Sequence, residues 1–322
     1  MYDEENLVEL RLEAFQALTP TKKFDTPNKI TDLSYSDDGK GLIVAAENTV
    51  HLYDLNDGTQ MKPIECAKYG VGIVEYVDPE HCLHSSTKLD HKVRMLDLTT
   101  KSYTRYFWAH TKPVNCIHVR PRHNFTFLTS SLDSTLRVWD SRAHENVGFI
   151  HIHNVPLVAY DPEGLCFAVA TRSETIKLFD ARSFDLGPFK TFRVMKNDDD
   201  EWTSIEFSPC GKFILVSTMA SGVKWIDAFL GKVVHNFVGH QNSHKIPLQA
   251  TTSSDSSLVF VGSDDRKLYA YSTETGEISF KLPTPHMNVA HIVAFNRKQF
   301  LMTSLSMSRE VILWAPNEEY GM

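Results

Sequence analysis

Near its middle the chain reads Leu136-Arg137-Val138-Trp139-Asp140, in which apolar and charged side chains alternate and an aromatic residue precedes an aspartate. Related five-residue stretches end in Asp54, Asp97, Asp180 and Asp227, and two looser copies end in Ser272 and Ala315. The last residues of successive copies are 40 to 47 positions apart. The alternation predicts a half-buried strand in each copy. Seven copies at this spacing indicate one closed array of repeats rather than two unrelated domains.

Turn-forming residues separate the predicted strands. Runs rich in Asp, Gly, Pro and Ser occupy 37–40, 57–58, 161–164, 208–212 and 274–276. Such clusters between alternating segments are typical of hairpins in an all-β protein. No Gly/Ser linker or Pro-rich tract interrupts the series, which favours a single domain.

The third repeat also contains His110 upstream and Ser131-Leu132-Asp133 just before its strand. This arrangement resembles the WD repeat. The resemblance implies an all-β fold, a single seven-bladed β-propeller of WD repeats. It also implies a buried hydrogen-bonded set of His110, Asp133, Trp139 and either Ser131 or Thr129. Buried imidazole, carboxylate and indole groups all need partners, so we interpret this set as structural rather than catalytic.

The two ends of the chain indicate how the ring closes. Only eight residues follow Trp314, too few for another strand and turn. Residues 15–25 are therefore expected to supply the missing outer strand of the last blade, because an open sheet edge invites aggregation. The predicted domains are an N-terminal extension at 1–14, with a short helix at 4–14, and the propeller at 15–322.

The composition limits the classes of function. Apolar residues make up 42% and charged residues 23% of the chain, as in an ordinary globular protein. The net charge of −7 argues against a protein whose main task is to bind nucleic-acid phosphates. No apolar run is long enough for a membrane span, and the acidic N-terminus does not resemble a signal peptide. The five cysteines form no CxxC motif, which favours a reducing compartment.

The sequence offers little support for catalysis. It contains no hydrolase nucleophile elbow, zinc-protease motif, phosphate-binding loop or dinucleotide fingerprint. His151 and His153 share one face of a strand without an evident third ligand, and the acidic run 198–201 lacks the spacing of a calcium loop. We therefore expect no cofactor and no metal, and an enzyme is the weak alternative.

A propeller displays loops on a rigid scaffold, so function is expected in exposed patches. Basic residues occupy the turns on one predicted face: Lys88, His91, Lys92, Lys112, Arg172, Arg266 and Arg309. One hypothesis is a positive collar that binds a phosphopeptide; the alternative is that turns are simply charged. Among the aromatic residues, Phe184 and Phe189 flank a Gly-Pro turn and are favoured as partner contacts over Tyr69, Tyr106 and Phe107, which are expected in the core.

Longer stretches carry a more specific resemblance, namely 68–71, 105–110, 161–165, 182–189, 201–203 and 226–231. Together they resemble the WD-repeat subunits shared by two nuclear assemblies, the COMPASS-type methyltransferase for lysine four of histone three and a protein-phosphatase-one complex of transcription termination and RNA 3'-end processing. The resemblance implies a nuclear, non-catalytic adaptor that docks a partner peptide and reads the phosphorylated C-terminal repeats of RNA polymerase II. The alternatives are a WD-repeat adaptor of a ubiquitin ligase or trafficking complex and, as a minor variant, direct RNA binding.

Overall fold

A computed structural model of the chain describes residues 12–123, 125–143, 145–171, 175–194, 201–220 and 222–317. Within these ranges the chain forms seven small antiparallel sheets, one short α-helix and one 3₁₀ turn at Phe184–Leu186. The predicted all-β, seven-bladed propeller is therefore confirmed. No helix in the described ranges combines the length and the apolar character that crossing a membrane requires.

The described chain starts with helix α1 (Leu12–Gln16) and strand β1 (Leu18–Asp25). The first blade follows with β2 (Ile30–Tyr35), β3 (Gly41–Ala46), β4 (Thr49–Asp54), β5 (Thr59–Gln60) and β6 (Ile64–Glu65). The second blade contains β7 (Val74–Asp78), β8 (His81–Ser85), β9 (Val93–Asp97) and β10 (Ser102–Phe107). The third blade contains β11 (Val114–Val119), β12 (Thr126–Ser131), β13 (Thr135–Asp140) and β14 (Asn146–His151).

The remaining four blades repeat this order. The fourth contains β15 (Pro156–Tyr160), β16 (Cys166–Thr171), β17 (Thr175–Asp180) and β18 (Lys190–Arg193). The fifth contains β19 (Trp202–Phe207), β20 (Phe213–Thr218), β21 (Val223–Asp227) and β22 (Val233–Phe237). The sixth contains β23 (Thr251–Thr252), β24 (Leu258–Gly262), β25 (Lys267–Ser272) and β26 (Ile278–Pro283). The seventh contains β27 (Ala290–Phe295), β28 (Met302–Ser306) and β29 (Glu310–Pro316).

The N-terminal strand completes the seventh blade. Strand β1 pairs antiparallel with β29, from Leu18 opposite Pro316 to Asp25 opposite Glu310. Closure by an N-terminal strand is thus confirmed, but the strand begins at Leu18 rather than at residue 15. Phe15 belongs to α1. Its buried ring packs in the core beside the last blade, with its centroid 5.0 Å from that of Phe300. Of the predicted helix at 4–14, residues 4–11 lie outside the described ranges and residues 12–14 belong to α1.

The core is divided among the contacts between blades. The described residues form seven apolar clusters, one at each interface of neighbouring blades. The cluster joining the last blade to the first contains Ile30, Leu42, Leu305 and Val311, all fully or almost fully buried. Closure of the ring therefore buries apolar surface as the six other interfaces do, and stabilises the fold by the same effect.

Candidate functional site

The blades expose two faces. Because neighbouring strands in a blade are antiparallel, the turns between second and third strands lie on the same side as the loops that lead to the next blade. We call this side the top face. The turns between first and second strands and between third and fourth strands lie on the bottom face. This alternation assigns each predicted site residue to a face.

In the third blade a buried hydrogen-bonded set joins four side chains. His110 Nδ1 lies 2.9 Å from Asp133 Oδ2, and His110 Nε2 lies 2.7 Å from Thr129 Oγ1. Trp139 Nε1 donates to the same Thr129 hydroxyl at 2.8 Å. Burial opposes ionisation of Asp133, but bonds from Thr135, the Thr111 amide and His110 outweigh it and lower the pKa of the carboxyl to about 2.

Thr129, rather than Ser131, is therefore the hydroxyl member of this set. Trp139 pairs directly with Phe127, so its indole reaches the diagonal position 129 but not 131, two residues farther along the strand. The Ser131 hydroxyl instead donates to the Lys112 and Pro113 carbonyls at 2.9 Å and accepts the Asp133 amide at 3.1 Å. Ser131 thus shapes the turn in which Asp133 sits.

The seventh blade contains a second set that the sequence analysis missed. His286 Nε2 lies 2.7 Å from Ser304 Oγ, His286 Nδ1 lies 3.2 Å from Glu310 Oε2, and Trp314 Nε1 donates to Ser304 Oγ at 2.9 Å. The separations of His, hydroxyl and Trp are 18 and 10 positions, against 19 and 10 in the third blade. The matching spacing could have revealed the second set from the sequence alone. It is harder to recognise because the acidic residue is Glu310, at the start of strand β29, instead of an aspartate in the turn before the strand.

Glu310 also ties this set to the closing strand. Lys23 of β1 donates from Nζ to Glu310 Oε1 at 2.5 Å. Burial disfavours the charged carboxylate, yet hydrogen bonds from Lys23, Ser308, the Met287 amide and His286 prevail and lower the pKa of Glu310 to about 2. The carboxylate is therefore ionised at neutral pH and joins both ends of the described chain.

Both sets have the order of groups found in a catalytic triad, but their surroundings make them structural. The His286 and Glu310 side chains are 0% and 3% exposed, so a substrate has no access to them. The indole N–H of Trp314 also occupies the Ser304 oxygen that a nucleophile would need to keep free.

The predicted basic residues that the structure describes all lie on the top face. Lys88 and Lys92 belong to the turn between β8 and β9, and Lys112 to the loop between β10 and β11. Arg266 and Arg309 occupy the corresponding turns of the sixth and seventh blades. Arg172 lies outside the described residues.

These residues do not form an even collar. Arg266 directly follows Asp264 and Asp265, so its charge is offset locally. Arg309 donates from Nη1 to the Pro27 carbonyl at 2.9 Å, which engages it within the chain. In the described ranges the positive residues are instead concentrated around the second blade.

A basic and aromatic patch covers the top of the second blade. We call it the blade-2 surface and define it by Lys68, Tyr69, Lys88, Lys92, Tyr106 and Trp108. Lys68 Nζ lies 5.0 Å from the centroid of the Tyr69 ring, and Lys92 Nζ lies 6.0 Å from that of Trp108. Trp108 is 59% exposed and Tyr106 42%. Aromatic faces beside ammonium groups suit a ligand that carries both negative charge and flat apolar groups.

Arg94 forms the buried base of the blade-2 surface. Its guanidinium carbon lies 3.6 Å from the Tyr69 ring centroid and 5.6 Å from that of Tyr106. Two bonds to Asp90, at 2.7 and 3.0 Å, orient the guanidinium, and the bond from Arg94 lowers the pKa of Asp90 to about 2. Among the described residues Arg94 Nε has no hydrogen-bond partner. Two rings of the patch, Tyr69 and Tyr106, thus pack against a fixed cation.

The aromatic predictions need correction. Phe184 and Phe189 lie in the bottom-face loop between β17 and β18, far from the basic residues of the top face. Phe184 is a packing residue, because its ring occupies the space that a Cβ at Gly148 would fill and contacts the core between the third and fourth blades. Phe189 is 61% exposed and remains a candidate contact. Tyr69 and Tyr106 belong to the blade-2 surface, whereas Phe107 is buried.

The central channel carries further titratable groups. Burial raises the pKa of Asp32 to about 7, and burial together with the nearby Asp32 charge raises that of Glu75 to about 8. Glu206 lies 3.6 Å from Arg297 across the same channel. The described residues include no group of three or more His, Cys, Asp or Glu side chains placed to hold a metal ion. Of the acidic run 198–201, residues 198–200 lie outside the described ranges.

Comparison with known proteins agrees with this architecture. The family model described as "WD domain, G-beta repeat" matches residues 18–54 and 101–140. WD repeat-containing protein 82 of Drosophila melanogaster is 38% identical over 92% of this chain and 94% of its own length. The Set1 complex component swd2 of Schizosaccharomyces pombe is 31% identical over 82% of this chain and 77% of its own. The COMPASS component SWD2 of Saccharomyces cerevisiae is 28% identical over 90% and 91%.

The similarity to the fly protein spans nearly the whole of both chains. The chain therefore belongs to the family of WD-repeat propellers that includes WD repeat-containing protein 82 and the Swd2 proteins of yeasts.

Proposed function

We propose that this chain is a non-catalytic scaffold subunit of a nuclear COMPASS-type complex that methylates lysine four of histone three. The observation that carries the proposal is its similarity, over more than three quarters of each chain, to relatives named as components of the Set1 complex and of COMPASS. The fold supports it, since a rigid ring with exposed loops is suited to holding partner segments.

We further propose that the blade-2 surface docks peptide segments, including phosphorylated ones. Lys68 and Lys92 lie beside the rings of Tyr69 and Trp108, and Lys88 lies in the same turn as Lys92. The nearby Asp90 is engaged by Arg94. Ammonium groups stabilise phosphate by charge-assisted hydrogen bonds, and the rings provide apolar contact for neighbouring residues. The phosphorylated C-terminal repeats of RNA polymerase II fit this chemistry. Membership of the phosphatase complex of termination and 3'-end processing is the second assignment that the sequence resemblance suggests.

The test is affinity purification of the tagged full chain from nuclear extract, followed by mass spectrometry. We expect methyltransferase subunits with the wild-type chain. Recovery of the phosphatase and its scaffold as well would identify a shared adaptor. Ubiquitin-ligase or trafficking subunits in their place would overturn the proposal and leave the fold assignment intact.

Charge-reversal variants test whether the peptide binds at the blade-2 surface or elsewhere on the chain. The variant Lys68→Glu/Lys88→Glu/Lys92→Glu is expected to weaken binding of a phosphorylated heptad-repeat peptide by about tenfold or more. The matched control is Lys40→Glu/Lys212→Glu/Lys298→Glu, which reverses three charges in bottom-face turns. Equal affinity of both variants, measured by fluorescence polarisation, would show that the blade-2 surface does not bind this peptide.

A further inference from the structure

The outer strand of the third blade exposes apolar side chains at the rim of the propeller. Along β14 the side chains alternate between half-buried and exposed positions, and the exposed ones are Val147, Phe149 and His151. Val147 is 58% and Phe149 52% exposed, and the Phe149 and His151 rings meet edge to face at 5.2 Å. In the described ranges no strand pairs with the outer edge of β14. Its free backbone groups and its apolar side chains therefore face the surroundings together.

Three arginines lie beside this strand, in the cleft between the second and third blades. Arg137 is directly opposite Phe149 in the sheet, and its guanidinium carbon lies 5.4 Å from the Phe149 ring centroid. Arg105 of β10 forms the other wall and donates from Nη1 to the Arg142 carbonyl at 3.4 Å. Arg142 covers the exposed ring of Phe125 at 4.6 Å. The floor of the cleft is the core between these blades, which contains Phe107 and Trp139.

The charge of this cleft is not balanced within the described chain. Arg142 is paired with Asp140 through two bonds of 2.9 and 2.7 Å. For Arg105 and Arg137, by contrast, no carboxylate among the described residues lies within the 4.0 Å of an ion pair. Arg137 Nε is buried there without a hydrogen-bond partner. Arg105 also interacts electrostatically with Asp140, so Asp140 is shared between Arg105 and Arg142 while Arg137 has no ion pair among the described residues. The cleft thus keeps an excess of positive charge beside its apolar strand, in a chain of net charge −7.

We propose that this cleft binds an extended acidic segment of a partner protein, which adds to β14 as a fifth strand. The backbone of such a segment would bond to the free edge of β14, as in β-strand addition. Alternate apolar side chains would cover Val147 and Phe149, and Asp or Glu side chains would pair with Arg105 and Arg137 through the planar fork of each guanidinium. The cleft is on the rim, so this interaction is separate from the blade-2 surface and does not depend on it.

The experiment selects peptides without assuming a sequence. The immobilised full chain is panned against a random decapeptide library displayed on phage, and selected peptides are synthesised and measured by fluorescence polarisation. We expect sequences in which Asp or Glu alternates with aliphatic or aromatic residues. Arg105→Gln/Arg137→Gln, and separately Val147→Asp, should weaken their binding by about tenfold or more. Lys88→Glu/Lys92→Glu, which alters only the blade-2 surface, should leave it unchanged.

Hydrogen exchange shows where the peptide lies. Bound peptide should slow amide exchange across Asn146–His151, and each variant is first checked for an unchanged melting temperature. The proposal is overturned if no peptide is selected, if the selected peptides lack acidic residues, or if binding requires phosphoserine in place of Asp or Glu. It is also overturned if Val147→Asp and the arginine variant bind as tightly as the wild type. Loss of binding in Lys88→Glu/Lys92→Glu alone would assign the peptides to the blade-2 surface instead.

Discussion

At the scale of single residues, one hydroxyl group serves each buried His–carboxylate set. In the third blade Thr129 contacts the imidazole and the indole together, and Ser304 does the same in the seventh. Each hydroxyl therefore satisfies two buried nitrogen atoms, which would otherwise be desolvated without a partner. This double role explains why Ser and Thr are both suitable at the central position, which requires a hydroxyl oxygen.

The first prediction concerns Thr129→Val, which keeps the shape of the side chain and removes its oxygen. His110 Nε2 and Trp139 Nε1 both lose their partner, so we expect the free energy of unfolding to fall by about 2–3 kcal/mol. Urea denaturation measures it. The control is Thr126→Val, a half-buried residue at the start of the same strand. A similar loss in both variants would mean that the hydroxyl set contributes nothing specific.

The second prediction concerns Lys23→Met. Without the Lys23 ammonium the pKa of Glu310 should rise from about 2 toward its ordinary value. Since a carboxyl with a lowered folded pKa stabilises the fold above its unfolded pKa, the variant should be less stable by about 1–2 kcal/mol at pH 7. That difference should disappear as the pH falls from about 4 to about 2.

Lys22→Met is the matched control for this pair. Lys22 Nζ donates to the backbone carbonyls of Asp57 and Gly58 instead of to a carboxylate. Its effect on unfolding should therefore not follow the titration of Glu310. The measurement is the free energy of unfolding of both variants from pH 7 to about pH 2. If it changed with pH in the same way in both variants, the Lys23–Glu310 pair would not be the cause of the effect.

At the scale of elements, the seventh blade is assembled from both ends of the described chain. Strand β1 makes the outer strand, Lys23 bonds to Glu310, and Phe15 packs against the core behind β27. The blade is therefore formed by contacts between residues almost 300 positions apart, for instance Thr21 Oγ1 donating to the Leu313 carbonyl at 3.1 Å. Such closure requires long-range pairing, which costs chain entropy before it gains contacts.

The third prediction is that deletion of residues 1–25 abolishes the cooperative fold. It removes a whole strand, uncovers the edge of β29 and exposes the apolar cluster that holds Phe15 and Leu18. We expect aggregation and loss of a sharp thermal transition, measured by size-exclusion chromatography and circular dichroism. Deletion of residues 1–11 is the control, since α1 and β1 remain. A 1–25 deletion that melts like this control would disprove closure by β1.

At the scale of the whole molecule, the pH of greatest stability is set by two kinds of buried group, histidines whose pKa is lowered and carboxyls whose pKa is raised. Burial lowers the pKa to about 4 in five histidines: His84, His118, His240, His286 and His291. In the channel, burial raises the pKa of Asp32 and Glu75 to about 7 and about 8. The histidines resist protonation in the folded state, whereas the two carboxyls resist losing their protons.

The fourth prediction is a stability maximum near pH 7. Between about pH 4 and 7 the unfolded chain binds more protons through its histidines than the folded chain binds at the two carboxyls, so stability rises with pH. Above about pH 7 the unfolded histidines have lost most of their protons while Asp32 and Glu75 still hold theirs in part in the folded chain, so stability falls until about pH 8. Melting temperatures from pH 4 to 9 measure the curve.

Glu75→Gln provides the control for the alkaline side of this curve. The neutral amide cannot lose a proton, and it relieves Asp32 of a nearby carboxylate. Asp32 keeps the pKa shift that burial causes, so the decline above about pH 7 should be smaller in this variant without disappearing. If the wild-type melting temperature kept rising to pH 8, or if Glu75→Gln had the same curve, the channel carboxyls would not be responsible.

The sequence by itself determined the repeat, the number of blades and the closing strand. A strand with one face in an interface between blades needs a two-residue alternation, so each blade leaves a local pattern such as that ending in Trp139-Asp140. The family followed from longer stretches of the same kind. Those predicted basic residues that the structure describes share one face, since turn positions follow directly from strand order.

Only the tertiary structure decided which of these residues act together. Thr129 rather than Ser131 bridges His110 and Trp139, because the diagonal between paired strands depends on their register. The set around Glu310, the stacking of Tyr69 on Arg94, and the cleft between Arg105 and Phe149 join residues from different strands or blades. The physical reason is that side-chain contact and burial depend on sheet register and on blade packing, and neither leaves a periodic mark along one strand.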